Sequence, residues 1–261
     1  MHPVLVVLIG AAIVMAAVWL LQLRTRNAGY VDVAWAALMG LAALWYGLVA
    51  DGGGLPRLVM ALLAATWGFR LALHLLHRVM NEPEDGRYRH LREHWRGSQA
   101  KFFGFFMFQA ALTALFSLPF YIAARNPVDA FTPWTALAIA IWIVAIGGET
   151  IADRQLARFR ADPANRGRTC RAGLWRYSRH PNYFFAWLHW FTYVALSVGA
   201  PMGWLSLLGP VLMGASLAWI TGIPFVEQQA LRSRGEDYRR YQRETSAFFP
   251  WFPKPPQAGP A

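Results

Sequence analysis

The polar run Gly173–Phe184 holds residue types that would suit an anionic cofactor beside a lipid-soluble substrate. Its Arg, Tyr, His and Asn residues end abruptly, and the chain is apolar from Pro181 onward. Proline fits the first turn of a helix, and the free N–H groups of that turn form an anion site with the positive end of the helix dipole. We therefore predict a helix that enters a membrane at Pro181. The side chains at its mouth are Arg179, His180, Asn182 and Tyr183. The alternative is a helix cap flanked by the basic residues that the positive-inside rule places at a membrane surface.

A second set of polar residues leads into this run from the end of the preceding helix. Glu149 and Asp153 are spaced i, i+4 and share a helix face at its C-terminal end, where the dipole disfavours negative charge. Either ligand hydroxyls or neighbouring arginines must compensate. The functional interpretation is a carboxylate that holds a ribose or amide while arginines hold phosphates, and the structural one is an ion-pair network. The residues that follow are Arg160, Asn165, Arg166 and Arg168.

Ionisable residues also lie within or at the edges of the apolar segments. Charge inside a membrane is costly and usually faces a cavity or a partner. These residues are Asp32, Arg70, His74, His77, Arg78 and Glu227. Asp32 is a candidate catalytic acid, with a structural pair to Arg70 as the alternative. His74 and His77 have a spacing that could share a metal, but no third ligand is evident, so we predict no metal site.

Long apolar blocks must position these residues. Hydrophobic residues make up 56% of the 261 residues and charged residues only 15%, which is typical of a polytopic membrane protein. Each crossing needs about 20 apolar residues. The sequence therefore predicts an all-α fold with seven transmembrane helices, at about residues 3–23, 31–50, 58–77, 102–124, 130–152, 181–199 and 203–226. The break between the last two is Gly199–Gly203.

The distribution of charge agrees with seven crossings. All of the 25 basic residues except Arg57, Arg70 and Arg125 fall in the connections after the first, third and fifth helices or in the C-terminal part. The positive-inside rule then predicts an outside N-terminus and a cytoplasmic C-terminus. The net charge of +11 reflects this asymmetry, so we expect membrane lipids and a lipid-soluble small molecule as partners rather than nucleic acid. The sequence does not predict an oligomeric state.

The cytoplasmic segments complete the predicted architecture. Glu227–Thr245 has helical spacing of its apolar and aromatic residues, and we expect an amphipathic helix along the membrane surface. The chain contains one cysteine, Cys170, which excludes an internal disulfide and a cysteine-based metal cluster. We predict a single membrane domain over residues 1–261, with a cofactor-binding part at 149–245.

The run Gly173–Tyr183 resembles the signature of the steroid 5-alpha-reductase-like membrane family, specifically its bacterial DUF1295 branch. The resemblance covers nearly the whole chain. It also includes Val31–Trp35, Trp67–Leu71, Glu84–Tyr88, Asp153–Leu156, Tyr238–Gln242 and Ser246–Pro253. It implies an all-helical seven-span fold in a bacterial inner membrane, with NADPH held on the cytoplasmic side.

The resemblance also implies roles for individual residues. Asp153, Arg160, Arg168 and Asn182 match cofactor contacts by position, Arg78 lies in a His-Arg pair near the cofactor, and Asp32 lies where the reductases place an acidic catalytic residue. With the residues singled out above, the predicted cofactor contacts are Arg78, Glu149, Asp153, Arg160, Asn165, Arg168, Arg179, His180, Asn182, Tyr183, Glu227 and Tyr238. The predicted catalytic residues are Asp32 and His74.

Two positions depart from the family pattern. Relatives commonly carry a glutamate three residues after the motif tyrosine, where this chain has Ala186. The catalytic tyrosine of the reductases has no clear counterpart, because the corresponding stretch reads His74–Arg78. His74 or His77 could supply the proton instead, and we list His74 as the candidate.

Three functions compete at this point. The first is an NADPH-dependent reductase of a conjugated double bond in a steroid- or isoprenoid-like lipid. The second is a membrane methyltransferase that uses S-adenosylmethionine, as in the isoprenylcysteine and phospholipid enzymes, which the C-terminal half also resembles. The third is an inactive lipid-binding relative, which Ala186 favours. The arginines before Pro181 favour NADPH, because it carries phosphate charges whereas S-adenosylmethionine carries a sulfonium cation.

Overall fold

The chain is helical throughout the part that the computed structural model describes, residues 1–220 and 222–255. No strand occurs among these residues, which confirms the all-α prediction. The α-helices are α1 Pro3–Thr25, α2 Tyr30–Val49, α3 Gly54–Asn81, α4 Gly86–His94, α5 Gln99–Ala124, α6 Pro133–Ala161, α7 Pro181–Leu188, α8 Phe191–Leu196, α9 Leu208–Ala215, α10 Ile223–Arg234 and α11 Glu236–Glu244. Short 3₁₀ segments lie at Pro163–Asn165, Gly173–Arg176 and Gly203–Leu207, and a π-helical turn lies at Ser216–Ile220.

Six helical stretches in the described part are long and apolar enough to cross a membrane. They are α1, α2, α3, α5, α6 and the stretch Gly203–Arg234. The predicted span at 181–199 is instead two short helices, α7 and α8, so the count of seven is only approximate. The helix tightens at this point, because the N–H groups of Trp190 and Thr192 bond to carbonyls three residues earlier. His, Trp, Phe, Thr and Tyr, which make up this stretch, are weak helix formers, so tertiary packing decides its path.

The chain forms two compact units. Unit 1 comprises Met1–Ala138 and Tyr193–Gly209, and unit 2 comprises residues 139–192 with those described from 210 onward. In unit 1, α2 packs closely on α3 because both present small residues. A Cβ on Gly68 would lie 2.7 Å from the backbone nitrogen of Gly40, and one on Gly47 would lie 2.7 Å from the Cβ of Ala61. Small residues at such a contact let helix backbones approach in a membrane.

The rest of unit 1 is built on α5, which packs against α1, α2 and α3. Phe102, Phe106 and Phe120 of α5 are fully buried. The hydroxyl groups of Tyr46 and Ser117 lie 2.9 Å apart, which joins α2 to α5 inside this core. The packing of unit 1 fixes α2 and α3 relative to each other. Asp32 lies in the first turn of α2, and its hydrogen-bond partners follow α3.

In unit 2, two helices differ from the prediction. Helix α6 continues to Ala161, beyond the predicted end at residue 152, so Asp153 and Arg160 lie on the helix itself. The predicted amphipathic helix at Glu227–Thr245 is wrong as one element: it is the end of α10 followed by α11. The break is Gly235, with φ 53° and ψ −123°, a conformation that only glycine adopts readily. Helix α11 is nonetheless amphipathic, because Tyr238 and Tyr241 are buried while its arginines are exposed.

Candidate functional site

The carboxylate of Glu227 is the centre of a hydrogen-bonded group in unit 2. Its Oε1 accepts from Arg179 Nε at 2.7 Å and lies 3.2 Å from His180 Nε2 and 3.4 Å from the Tyr238 hydroxyl. Its Oε2 accepts from Gln242 Nε2 at 2.7 Å. We call these five residues the Glu227 cluster. Its charged partners are shielded from solvent, since the side chains of Arg179 and Glu227 are 11% and 15% exposed.

The guanidinium group of Arg179 is directed at protein acceptors. Besides Glu227, it donates through Nη1 to the carbonyl oxygens of Gln242 at 2.9 Å and Thr245 at 2.7 Å. Its backbone N–H donates to the carbonyl of Ser246 at 2.8 Å. Charge-assisted bonds of this kind are short and strong, and a buried ion pair that loses one partner is strongly destabilised. Arg179 therefore ties the start of α7 to the end of α11 and to the segment after it.

Residues 174–178, which precede Pro181, are hydrogen-bonded to α6 on one side and to α11 on the other. Trp175 Nε1 donates to the carbonyl of Ala152 at 2.9 Å, and the N–H of Leu174 donates to Gln155 Oε1 at 2.9 Å. From the other side, the Tyr241 hydroxyl donates to the backbone carbonyls of Trp175 and Ser178. This segment is thus held by hydrogen bonds on both sides, mostly through its backbone groups.

The N-terminus of α7 carries a further polar contact. Asn182 Nδ2 donates to Asp153 Oδ1 at 3.1 Å, so the motif asparagine and the α6 carboxylate lie together. The rings of His180 and Tyr183 are stacked, with centroids 5.4 Å apart and an interplanar angle of 13°. Four of the predicted cofactor contacts therefore adjoin one another at this helix entry, beside the Glu227 cluster.

Most arginines between Asp153 and Pro181 have no acidic partner. Arg171 is an exception, pairing with Asp237 and Glu244, and Arg179 is the other. Six others are exposed, and none makes a side-chain hydrogen bond or ion pair within residues 1–220 and 222–255: Arg154, Arg158, Arg160, Arg166, Arg168 and Arg176. We call these six the arginine face, as a name for the set, since Arg158 and Arg160 are two residues apart on α6 and point to different sides of that helix. Exposed arginines without an ion pair are available to bind phosphate groups.

The environment of Cys170 adds to this picture. Burial raises the pKa of the Cys170 thiol, and the nearby Arg160 and Arg234 lower it only in part. Arg160, on the last turn of α6, and Arg234, at the end of α10, thus lie close enough to one thiol for their charges to act on it. The guanidinium of Arg234 also stacks on the ring of Tyr238, 5.1 Å from its centroid. The positive charge therefore extends from the arginine face toward the Glu227 cluster.

Two predicted cofactor contacts have other local surroundings. Asn165 Nδ2 donates to the carbonyl of Phe159 at 3.0 Å, so this side chain closes the C-terminal end of α6. Glu149 is buried within α6, with 8% of its surface exposed. Asn165 has a capping role that the sequence did not predict.

Asp32 lies in a second charged group, in unit 1. Its Oδ2 accepts from Arg87 Nη2 at 3.0 Å and its Oδ1 from the Tyr88 hydroxyl at 2.6 Å. Asp85 accepts from Arg87 and, at 2.5 Å, from Arg78. We call Asp32, Arg78, Asp85, Arg87 and Tyr88 the Asp32 cluster. Asp32 is thus paired with Arg87 rather than with Arg70.

The charged groups of the Asp32 cluster shift the pKa values of their neighbours. Burial alone would raise the pKa of Asp85, but the hydrogen bond and charge of Arg87, together with the charge of Arg78, lower it to about 2. Burial raises the pKa of the Tyr88 hydroxyl well above its ordinary value, and the carboxylate of Asp32 raises it further. Tyr88 therefore keeps its proton at neutral pH and serves as a hydrogen-bond donor.

A cleft opens beside the Asp32 cluster. Its lining residues are Asn27, Gly29, Asp32, Leu75, Arg78, Val79, Pro83 and Asp85. Two predicted residues, Asp32 and Arg78, lie on this cleft, whereas His74 is exposed on α3 and is not part of the lining. The buried donor beside Asp32 is Tyr88, which the sequence interpretation had not assigned.

Comparison with known proteins identifies the family of the chain. Residues 18–245 match the model of a family described as "Protein of unknown function (DUF1295)". The chain belongs to the DUF1295 family. This DUF1295 protein is also similar to "Uncharacterized protein C594.04c" of Schizosaccharomyces pombe, being 25% identical over 279 residues that cover 95% of the chain and 80% of the yeast protein. No solved structure matches it significantly.

The family match contains both charged groups of this DUF1295 chain. Every predicted site residue, from Asp32 to Tyr238, lies within residues 18–245, as does Gln242. Sequence reasoning missed Gln155, Tyr241 and Gln242, whose types carry no charge and whose contacts come from distant parts of the chain. A signal for Arg87 and Tyr88 existed, because Asp85 begins α4 as its N-cap and places both residues in the first turn.

Proposed function

We propose that this DUF1295 protein is an NADPH-dependent membrane reductase of a conjugated double bond in a lipid-soluble, steroid- or isoprenoid-like substrate. The proposal includes its relation to the steroid 5-alpha-reductases and its place in a bacterial inner membrane with the C-terminus in the cytoplasm. The observation that carries it is the arginine face, whose six exposed guanidinium groups have no acidic partner among the described residues.

The donor set fits a dinucleotide with several phosphates. Exposed arginines bind phosphate through paired, charge-assisted hydrogen bonds. The contact between Asp153 and Asn182 offers a carboxylate and an amide to ribose hydroxyls or a carboxamide, next to the arginine-bearing end of α6. S-adenosylmethionine fits less well, since its sulfonium cation would be repelled by six arginines that form no ion pair within the described residues.

The Asp32 cluster contains a candidate for the acid that the proposed reaction needs. When bound, NADPH supplies a hydride, and the substrate takes that hydride at its β-carbon and a proton at its α-carbon. Tyr88 gives its one O–H to Asp32 in this structure, and it is the candidate donor to an enone carbonyl oxygen if that hydrogen turns from Asp32 to the substrate. His74, the donor candidate from the sequence, is exposed on α3 and is not one of the residues of the Asp32 cluster.

Ligand-dependent thermal stability tests the cofactor assignment. Purified protein in detergent would be heated with NADPH, NADH or S-adenosylmethionine. We expect stabilisation by NADPH, because a ligand that binds only the folded state raises its stability. Stabilisation by S-adenosylmethionine alone would favour the methyltransferase instead, and no stabilisation by either would leave the lipid-binding alternative.

Variants of the arginine face test where the cofactor lies. Arg160→Ala and Arg168→Ala should each weaken NADPH binding about tenfold, the loss of one charge-assisted contact of about 1.4 kcal/mol. Lys101→Ala is the matched control, since Lys101 is an exposed cation of unit 1 outside both clusters. Equal affinity in all three variants would remove the arginine face from the site.

Activity separates the two candidate proton donors. With an enone lipid as substrate, Tyr88→Phe should abolish most turnover while NADPH binding stays unchanged, because the fold keeps the ring and loses only the hydroxyl. His74→Ala should retain turnover. The opposite pattern would restore His74 as the donor.

A further inference from the structure

The segment after α11 has two unlike sides. We call Ser246–Lys254 the C-terminal strap. Its inner side is hydrogen-bonded to the motif: the N–H of Trp251 donates to the carbonyl of Tyr177 at 2.9 Å, and Ser178 Oγ donates to the carbonyl of Phe248 at 2.8 Å. The strap also accepts from the Arg179 N–H through the carbonyl of Ser246. These bonds hold the strap flat along Tyr177–Arg179.

The outer side of the strap is aromatic, and no residue that the structure describes covers it. Phe249, Trp251 and Phe252 are 58%, 71% and 77% exposed. Three large apolar side chains this close together are costly on a surface in contact with water, and such patches mark interaction sites. Phe248 packs against Phe184 and Trp187 of α7, and Phe249 touches the same two rings while more than half of its surface stays exposed.

The position of the strap indicates what covers this outer side. The strap is bonded to Tyr177–Arg179, and the uncharged apolar stretch that runs to Val226 begins at Pro181. The strap therefore lies where the chain passes from charged to apolar residues, which is the level of the lipid–water boundary. Tryptophan and other aromatic residues are enriched at that level in membrane proteins.

The charges around the strap complement a particular kind of surface. Arg176 and Lys254 flank the aromatic residues, and both are exposed. Aromatic residues interleaved with bases bind membrane interfaces through buried apolar area and attraction to anionic lipids. Pro250 and Pro253 suit an extended path, because proline has no N–H that would need a partner there.

We propose that the C-terminal strap is an interfacial anchor, in which Phe249, Trp251 and Phe252 insert into the headgroup region of an anionic lipid membrane. The bilayer then presses the strap onto the motif and helps to keep Ser246 and Thr245 on Arg179. This role is independent of which cofactor the protein binds, and the strap lies beyond the residues matched by the family.

Spin labelling in lipid nanodiscs tests the anchor. The chain has one cysteine, Cys170, which is buried, so a label placed on Trp251→Cys is the accessible one. The unsubstituted protein measures any labelling of Cys170, and Arg239→Cys on the exposed side of α11 is the matched control. Collisions with oxygen report lipid, and collisions with a water-soluble nickel chelate report water.

At Trp251→Cys, the ratio of oxygen to nickel accessibility should exceed that at Arg239→Cys several-fold, and it should rise as anionic lipid replaces neutral lipid. An equal ratio at both positions would overturn the proposal, because the strap would then lie in water. A label shielded from both reagents would also overturn it and would indicate a protein partner or a second copy of the chain. An unchanged ratio on adding anionic lipid would exclude the anionic preference.

Discussion

The Glu227 cluster and the arginine face lie in the same unit and come from the same predicted cofactor-binding part. They differ in how far their charges are exposed to water and in whether those charges are paired. In the Glu227 cluster, one carboxylate faces four donors and the charges are shielded from water. On the arginine face, six cations are exposed and no acid pairs with them in the described part of the chain. A buried and satisfied network stabilises a structure, whereas exposed and unpaired charge is available to a ligand. The predicted cofactor-binding part therefore contains both a buried structural network and the exposed arginines to which we assign cofactor binding.

Removing the centre of the Glu227 cluster should produce the largest effect. Glu227→Ala leaves Arg179 shielded from water without its carboxylate, and such a loss costs about 3–5 kcal/mol. We expect a large fall in the thermal unfolding temperature in detergent. Glu236→Ala is the control, because its carboxylate pairs with Arg239 and Arg243 at the surface, where ion pairs contribute little. If the Glu227→Ala protein kept the unfolding temperature of the natural protein but no longer bound NADPH, Glu227 would be a cofactor contact rather than a structural residue.

Asp85 extends the comparison to unit 1, where a carboxylate again meets several donors. Its pKa is lowered to about 2, against a value near 4 in the unfolded chain, so it stabilises the fold by about 2 kcal/mol at neutral pH. Because the folded-state pKa is the lower one, this contribution is complete above about pH 4 and disappears as the pH falls toward 2. Asp85→Asn should be less stable than the natural protein at pH 6, and the gap should narrow near pH 3. A gap that stayed constant over this range would contradict the ion-pair assignment.

Salt should distinguish the arginine face from the Glu227 cluster. Exposed charges are screened over about 10 Å at 0.1 M salt, whereas shielded pairs are screened far less. NADPH affinity should therefore fall as salt rises, and Arg160→Ala should make that dependence shallower by removing one screened contact. The thermal stability of the protein without ligand should change much less over the same range. Affinity that ignored salt would argue against phosphate binding on this face.

The smallest predicted effect concerns Asn165, which lies among the arginines but acts on the helix. Asn165→Ala removes its bond to the carbonyl of Phe159, at a cost of about 1 kcal/mol in stability. NADPH affinity should stay within twofold of the natural protein when both are measured below their unfolding temperatures. A tenfold loss of affinity would show that Asn165 contacts the ligand after all.

The sequence predicted the helical class, most spans and the segments that carry charge, because apolar blocks and basic connections are local properties. It did not predict that α7 and α8 are separate, since nothing in His189 or Trp190 forbids a continuous helix. The break between α10 and α11 at Gly235 is defined by the backbone conformation of that glycine, which composition alone does not reveal. The partner of Asp32 was missed for a related reason: Arg87 and Tyr88 lie far along the chain, and only the packing of unit 1 brings them to α2. Contacts of Gln155, Tyr241 and Gln242 likewise depend on tertiary structure.

The length of α6 determines how far its C-terminal arginines lie from the hydrocarbon of a membrane. The helix has 29 residues. At 1.5 Å per residue it is about 43 Å long, against about 30 Å of hydrocarbon in a bilayer. The excess of about 13 Å is about two and a half turns of helix, and the last turns of α6 carry Asp153 and Arg160. In the proposed function, the length of this helix would set how far from the lipid tails a cofactor phosphate is held. One residue added to or removed from that extension would shift the height by only about 1.5 Å but would turn the arginines by about 100°. The direction of the charge is thus more sensitive to α6 length than its distance from the membrane.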